Sequence, residues 1–96
     1  MFPKLDPLLH SELRLALMSI LAGVDEADFT YLKKQTGATS GNLSVQIDKL
    51  AAANYITVEK AFKGKMPHTT CKITQAGHEA FSNYVDALKE YLSTNK

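Results

Sequence analysis

The chain has 96 residues, of which 45% are hydrophobic and 22% are charged, and its formal net charge is +1. These values are typical of one globular domain, residues 1–96, and they exclude a disordered or fibrous chain. No apolar run approaches the roughly 18 residues of a membrane span, and the N-terminus lacks the pattern of a signal peptide. We therefore expect a cytoplasmic protein with no membrane partner.

The first quarter of the chain predicts a core helix. Residues 1–10 are rich in apolar side chains, and Asp6 followed by proline can begin a short turn. From Ser11, apolar residues recur at helical spacing until Gly23 ends the helix. The acidic stretch 24–29 is short and is compatible with one edge strand.

The middle of the chain, about residues 30–54, predicts two helices joined by a tight turn. Thr30 is the expected N-cap of a short helix that ends at Gly37. The pair Thr39 and Ser40 offers the N-cap of the next helix. Three apolar residues then recur at spacings of four and three and predict one buried face: Leu43, Ile47 and Leu50.

The opposite face of this second helix carries short polar and amide side chains instead of a Glu/Lys mixture. Asn and Gln can pair with adenine in the major groove, Ser can meet donors or acceptors, and Val can meet a thymine methyl group. A surface for DNA bases is one interpretation, and an ordinary solvated face is the other. The side chains concerned are Asn42, Ser44, Val45, Gln46 and Lys49.

After residue 54 the apolar pattern changes to a period of two, which predicts strands over about residues 55–62 and 69–73. The polar gap between them contains a glycine and a proline and predicts a hairpin connection. The tip of this hairpin is expected to carry Lys63, Lys65 and His68.

A long final helix is predicted over about residues 75–92, with Thr74 as its cap. Its apolar stripe runs for about four turns, and so small a domain does not need that much apolar surface. Core packing is one interpretation, and a homodimer interface shared with residues 1–22 is the one we favour. The predicted interface residues are Phe2, Leu5, Leu8, Leu9, Tyr84, Leu88, Tyr91 and Leu92.

Charge is concentrated in the middle of the chain. Residues 30–72 hold seven lysines against two acids, a net +5, whereas residues 1–29 carry −3 and residues 73–96 carry −1. A basic middle between flanks of opposite sign is typical of a compact DNA-binding domain. Asp48 is the residue that fits this pattern least, because a carboxylate near the groove repels phosphate. We expect it to point aside or to pair with Lys49 or Lys60.

The order helix, short strand, helix, helix, strand, basic hairpin, strand, helix is that of the winged helix-turn-helix. The runs T-x-x-x-L-S-V-x-x-x-K-L, Y-I-x-V-x-K and T-x-x-x-I-T-x-x-G, which begin at Thr39, Tyr55 and Thr69, resemble small stand-alone winged-helix regulators related to the MarR and ArsR groups. The resemblance covers nearly the whole chain. It implies an α+β, mostly α fold with a two- to three-stranded antiparallel wing sheet and a long C-terminal dimerisation helix.

The resemblance also implies roles for particular residues. It assigns Ser40–Gln46 and Lys49 to a recognition helix in the major groove, and Lys63, Lys65 and His68 to a wing. Physical reasons agree, since a helix starting at Thr39 or Ser40 directs N–H groups at phosphate and Gly41 leaves room for close approach. Positioning on the DNA backbone is expected from Thr30, Lys33 and Lys34.

These observations predict a homodimeric transcription regulator, more specifically a repressor, bound to a palindromic double-stranded DNA operator. A winged-helix module that binds only proteins is the alternative. An enzyme is not expected, because no nucleophile, base or phosphate loop has a suitable arrangement. Nor do we predict a cofactor or metal, since Cys71 is the single cysteine and the three histidines lack ligand spacing. A small-molecule effector is compatible with the sequence, but no residue cluster marks its pocket.

Overall fold

The computed structural model describes residues 2–93, so residues 1 and 94–96 of the predicted domain lie outside the described part. Four helices and three strands follow one another within residues 2–93. They are α1 (Glu12–Ala22), β1 (Ala27–Asp28), α2 (Phe29–Thr36), α3 (Ser40–Ala52), β2 (Ile56–Lys63), β3 (Met66–Ile73) and α4 (Gln75–Leu92). The strands form one antiparallel sheet in the order β1-β3-β2. This confirms the predicted winged-helix architecture. None of the helices within residues 2–93 is long and apolar enough to cross a membrane.

One apolar core joins the helices to the sheet. Because α3 buries a stripe of three aliphatic side chains in this core, its opposite face is held outward. The buried side chains of the core are Leu9, Leu17, Met18, Leu21, Ala27, Leu32, Leu43, Ile47, Leu50, Ile56, Cys71 and Tyr84. The helix at the centre of the functional prediction is thus fixed from beneath.

The ends of the two central helices follow the expected chemistry with one exception. Gly37 ends α2 in the left-handed conformation with φ 71°, and the Thr39 hydroxyl accepts a hydrogen bond from the Asn42 N–H at 3.2 Å. The prediction of Thr30 as the N-cap of α2 is wrong. Asp28 takes that position, and its carboxylate accepts from the Tyr31 N–H at 2.7 Å. A carboxylate is the better cap because it also interacts favourably with the helix dipole.

The hairpin is tighter than predicted. β2 and β3 pair without interruption from Ile56 opposite Ile73 to Lys63 opposite Met66, so the connection has only two residues, Gly64 and Lys65. Gly64 has φ 66° and occupies the first loop position, where a glycine of positive φ matches the strand twist. His68, which we expected at the tip, therefore lies within β3.

The start of α4 is held tightly against the end of α3. Asn54 follows α3 with a positive φ of 64°, and its carbonyl accepts from the Thr74 hydroxyl at 2.7 Å. The Thr74 hydroxyl also accepts from the Gly77 N–H at 2.9 Å and thereby caps α4, as predicted. A Cβ on Gly77 would lie 2.1 Å from the carbonyl oxygen of Tyr55, so only glycine fits at this contact.

The N-terminal segment forms the predicted turn at Asp6. One carboxylate oxygen of Asp6 accepts from the Leu8 N–H at 2.9 Å, and the other accepts from the Tyr55 hydroxyl at 2.5 Å. The hydrogen bond to Asp6, together with burial, raises the pKa of Tyr55 to about 12. These contacts tie residues 2–10 to the junction between α3 and β2.

Candidate nucleic-acid interface

The outward face of α3 is polar and open. Exposed side chains follow one another along it, whereas the residues between them are buried. Val45 is 49% exposed although it is aliphatic, and a Cβ on Gly41 would have no described atom within 4 Å apart from the adjoining residues and backbone of its own helix. The exposed residues are Ser40, Gly41, Asn42, Ser44, Val45, Asp48 and Lys49. This face has the shape and chemistry that a recognition helix needs.

The first turn of α3 presents free backbone donors. The Thr39 hydroxyl and carbonyl accept from the N–H groups of Asn42 and Leu43. Within the described part of the chain, the N–H groups of Ser40 and Gly41 have no acceptor. Such N–H groups at the positive end of the helix dipole suit a phosphate oxygen.

Gln46 departs from the expectation that its amide is free to meet a base. It is half-buried, its side-chain oxygen accepts from the Arg14 guanidinium, and its side-chain nitrogen donates to Asn42 Oδ1 at 2.9 Å. The cause is the packing of α1 against α3, which brings an arginine beneath the polar face. Gln46 supports the polar face of α3 and does not itself present an open amide.

Asp48 lies beside the sheet. It is exposed and borders a small cleft of about 80 Å³ together with Ser44 of α3 and Lys60 and Thr69 of the hairpin. Among residues 2–93 no lysine nitrogen lies within 4 Å of its carboxylate, so the predicted ion pair with Lys49 or Lys60 is not formed. The carboxylate does point aside, towards the gap between α3 and the sheet.

The hairpin of β2 and β3 forms the wing, and its two faces differ. Alternation along β2 places Lys60 and Phe62 on the same face as the buried Ile56, next to α3. Phe62 is 76% exposed. Lys63 lies on the other face, and Lys65 lies in the loop; both are exposed. Lys60 and Phe62 are not among the wing residues predicted from the sequence, although strand alternation counted from Ile56 places both on the inner face.

His68 lies on the outer face of the wing, opposite Ala61, and is half-buried. Strand pairing therefore removes it from the loop where we expected it. Cys71 is fully buried on the inner face, and burial raises its pKa to about 11. Its thiol is a small core side chain, as predicted.

All seven lysines of the basic middle are exposed. Within residues 2–93 one ion pair is present, between Lys72 and Glu26 at 3.8 Å on the outer side of the sheet. Thr30, Lys33 and Lys34 of α2 are all exposed, as positioning on the DNA backbone requires. Six of these lysines have no carboxylate within 4 Å in the described part of the chain: Lys33, Lys34, Lys49, Lys60, Lys63 and Lys65.

The residues predicted to form a dimer interface divide into two groups. Leu9 and Tyr84 are 0% and 4% exposed, so the core of the chain itself takes up their side chains and we remove both from the interface. Phe2 and Leu92 are 54% and 72% exposed. The ring of Phe2 stacks on Tyr91 with centroids 4.8 Å apart. Leu5, Leu8 and Leu88 are half-buried against the core.

Comparison with known proteins places this geometry in a family. Residues 13–92 match the family described as winged helix DNA-binding domain. An uncharacterised protein of Methanocaldococcus jannaschii is 34% identical over 77 residues, which cover 79% of this chain and 83% of that protein.

Two solved structures show the same fold. The transcriptional regulator homologue of Pyrococcus horikoshii OT3 has a TM-score of 0.82 and 27% identity, covering 88% of this chain and 84% of its own. PadR of Bacillus subtilis, solved in complex with operator DNA, has a TM-score of 0.64 and 18% identity, covering 90% of this chain and 60% of PadR. The family match spans α1 to α4, and with it the polar face of α3 and the lysine-tipped wing. The chain therefore belongs to the winged helix DNA-binding domain family and has the fold of transcriptional regulators of the MarR and PadR type.

Proposed function

We propose that this chain is a homodimeric, sequence-specific transcription regulator that binds a palindromic double-stranded DNA operator and acts as a repressor. The observation that carries the proposal is the cleft shared by α3 and the wing. Ser44 and Asp48 of α3 border it on one side and Lys60 of β2 on the other, so the polar helix face and the inner wing face adjoin. One duplex can then contact both elements.

The two elements have different tasks. In the major groove, Asn42, Ser44 and Val45 meet base edges, and the first turn of α3 meets a phosphate. Lys63 and Lys65, at the end of the wing, attract the backbone without regard to sequence by displacing counterions. On the inner wing face, Lys60 and Phe62 approach the adjacent minor groove or backbone. PadR, which shares the fold, was solved with operator DNA.

A homodimer is supported by the apolar surface at both ends of the chain. Phe2 and Leu92 are exposed, and Tyr91 holds the N-terminal segment against α4 through the ring of Phe2 and through a hydrogen bond from its hydroxyl to the Pro3 carbonyl at 2.6 Å. Burying this surface between two copies is favourable. A dimer on a palindromic site needs its two α3 helices about 34 Å apart, which is the spacing of successive major grooves.

Repression needs only occupancy of the operator, and all the proposed contacts bind the operator. A dimer on two successive major grooves covers the duplex on one side. We therefore propose that the bound dimer blocks transcription by excluding other proteins from the site.

Fluorescence anisotropy with labelled duplexes at low salt tests DNA binding, and analytical ultracentrifugation at micromolar concentration tests the dimer. We expect a selected duplex to bind at least about a thousandfold more tightly than a random one. Absence of any anisotropy change at micromolar protein would favour the protein-interaction module instead. A monomer at that concentration would refute the dimer.

A further inference from the structure

A chain of hydrogen bonds runs from the N-terminal segment to the exposed face of α3. Arg14 of α1 donates from Nε to the Leu8 carbonyl at 2.5 Å, and its other guanidinium nitrogen donates to the side-chain oxygen of Gln46. Gln46 Nε2 then donates to Asn42 Oδ1 at 2.9 Å. Leu8, Arg14 and Gln46 are half-buried, whereas Asn42 is exposed.

The direction of every bond in this chain follows from the first donor. A guanidinium has no acceptor, so the group of Gln46 that faces it must be the oxygen. The amide nitrogen of Gln46 must then face Asn42, and Asn42 must meet it with its oxygen. This leaves Nδ2 of Asn42, a donor, on the side away from Gln46, with no partner among residues 2–93.

We propose that Arg14 is a positioning residue for specificity, which acts through Gln46 to make Asn42 present a hydrogen-bond donor to the base it meets. This rests on the proposed binding of DNA by α3. Asn42 then selects a base with major-groove acceptors, guanine or thymine, over cytosine, which presents a donor there. The bidentate pairing of Asn with adenine is disfavoured because Gln46 already engages the oxygen.

Packing explains why Arg14 can set this orientation. Two of its nitrogens are hydrogen-bonded at once, one to the Leu8 carbonyl and one to Gln46 of α3. The guanidinium is therefore fixed between the N-terminal segment and α3. Asn42 and Gln46 are one helical turn apart, which is the spacing at which side chains on a helix meet. The relay therefore joins three elements without touching the buried stripe of α3.

The decisive variant is Gln46→Glu. A carboxylate only accepts, so it would accept from both Arg14 and Asn42 Nδ2, and Asn42 would turn its oxygen outward. Binding-site selection on random duplexes should then show the base at that position switch from guanine or thymine to cytosine or adenine. We expect the ratio of affinities for the two classes to change by about three- to tenfold, the effect of one hydrogen bond of ordinary strength.

Arg14→Met should largely remove the same base preference, because the side-chain amides of Gln46 and Asn42 are then free to rotate. Lys72→Met is the charge-matched control: it removes one positive charge from the outer side of the sheet and should leave the base preference unchanged. In the free protein, the side-chain NH₂ resonances of Asn42 in ¹H–¹⁵N spectra should shift in Arg14→Met and not in Lys72→Met.

The outcomes separate this inference from the proposed function. If the protein binds no DNA, the proposed function fails. Independently of DNA binding, unshifted Asn42 resonances in Arg14→Met would overturn the proposed role of Arg14. If wild type binds a defined sequence but Gln46→Glu keeps the same base preference, DNA binding stands and the inference is wrong. A switched preference with shifted resonances supports it. Dispersed spectra of each variant confirm that the domain is folded.

Discussion

The proposed recognition helix α3 and the wing lie on neighbouring sides of one cleft but differ in how they are supported. α3 rests on three buried aliphatic side chains, begins at a threonine cap, and has its central amides held by Arg14. The outer half of the wing has only two strands, and every residue from Glu59 to Pro67 is exposed. The helix is thus supported from the core, whereas the end of the wing is supported only by its own hairpin.

This difference matches the two tasks of a DNA-binding surface. Hydrogen bonds to base edges depend on atomic positions, so side chains that meet bases belong on an element held by packing. Attraction of phosphate by an ammonium group is nearly independent of direction, so lysines on a less supported hairpin suffice. Each prediction below changes one of the two elements, or their junction, and asks whether the other is affected.

The largest expected effect is on stability, and it separates the elements. Leu43→Ala removes a fully buried side chain of α3 and should lower the free energy of unfolding by about 2–5 kcal/mol. Phe62→Ala removes a larger side chain that is 76% exposed, and should change stability by no more than about 0.5 kcal/mol. Urea denaturation followed by circular dichroism measures both. Equal losses would mean that the wing is packed as tightly as α3.

The wing lysines should affect all DNA sequences alike. In the double variant Lys63→Ala, Lys65→Ala, we expect weaker binding to specific and random duplexes, with the slope of log K against log salt reduced by about two per subunit, or about four for the dimer. Anisotropy titrations measure this slope between about 50 and 200 mM salt, a range over which the affinity for DNA falls steeply. A loss confined to the specific duplex would mean that the wing contacts bases.

Asp48 tests the cleft between the elements. Asp48→Asn removes a carboxylate that borders the cleft without an ion pair, and should tighten binding to any duplex by about 0.5 kcal/mol through reduced repulsion of phosphate. Glu59→Gln, on the outer face of the wing, is the matched control. If Asp48→Asn instead loses the preference for cytosine at one position, this result would mean that the carboxylate accepts a hydrogen bond from that base.

The last effect is confined to stability and concerns Tyr55, at the junction of α3 and β2. Its hydrogen bond to Asp6 raises its pKa to about 12 from 10.0, so this contact stabilises the folded state below pH 10 and is lost as the pH rises towards 12. Tyr55→Phe should cost less than about 1 kcal/mol at pH 8. Its difference from wild type should shrink above pH 10, as urea denaturation across this range would show. A difference that does not change with pH would contradict the account of the hydrogen bond.

Features set by local chemistry could be predicted from the sequence. The caps at Gly37, Thr39 and Thr74 are specified by residues close in sequence, and the buried stripe of α3 follows from helical spacing. The cap of α2 differs from the prediction because Asp28 and Thr30 are both acceptable caps, and Asp28 combines a stronger cap chemistry with the extended backbone of the paired strand β1.

Features that depend on contacts between distant segments could not be predicted. The amide of Gln46 is engaged because α1 brings Arg14 beneath α3, 32 residues away in sequence. Likewise, Leu9 and Tyr84 looked like excess apolar surface until the N-terminal segment was seen to fold into the core. The sequence pattern places His68 in the loop. Strand pairing and the conformation of Gly64 set the register of the wing, and this register places His68 within β3.

Selection of binding sites from random double-stranded DNA, with wild type, Asn42→Ala and the double variant Lys63→Ala, Lys65→Ala, tests the central claim most directly. Wild type should enrich an inverted repeat with half-site centres about 10 base pairs apart. The lysine variant should enrich the same repeat at lower affinity, and Asn42→Ala should lose preference at one position of each half-site. Failure of wild type to enrich any sequence, or a changed motif in the lysine variant with an unchanged one in Asn42→Ala, would contradict the assignment of base contacts to α3 and of positioning to the wing.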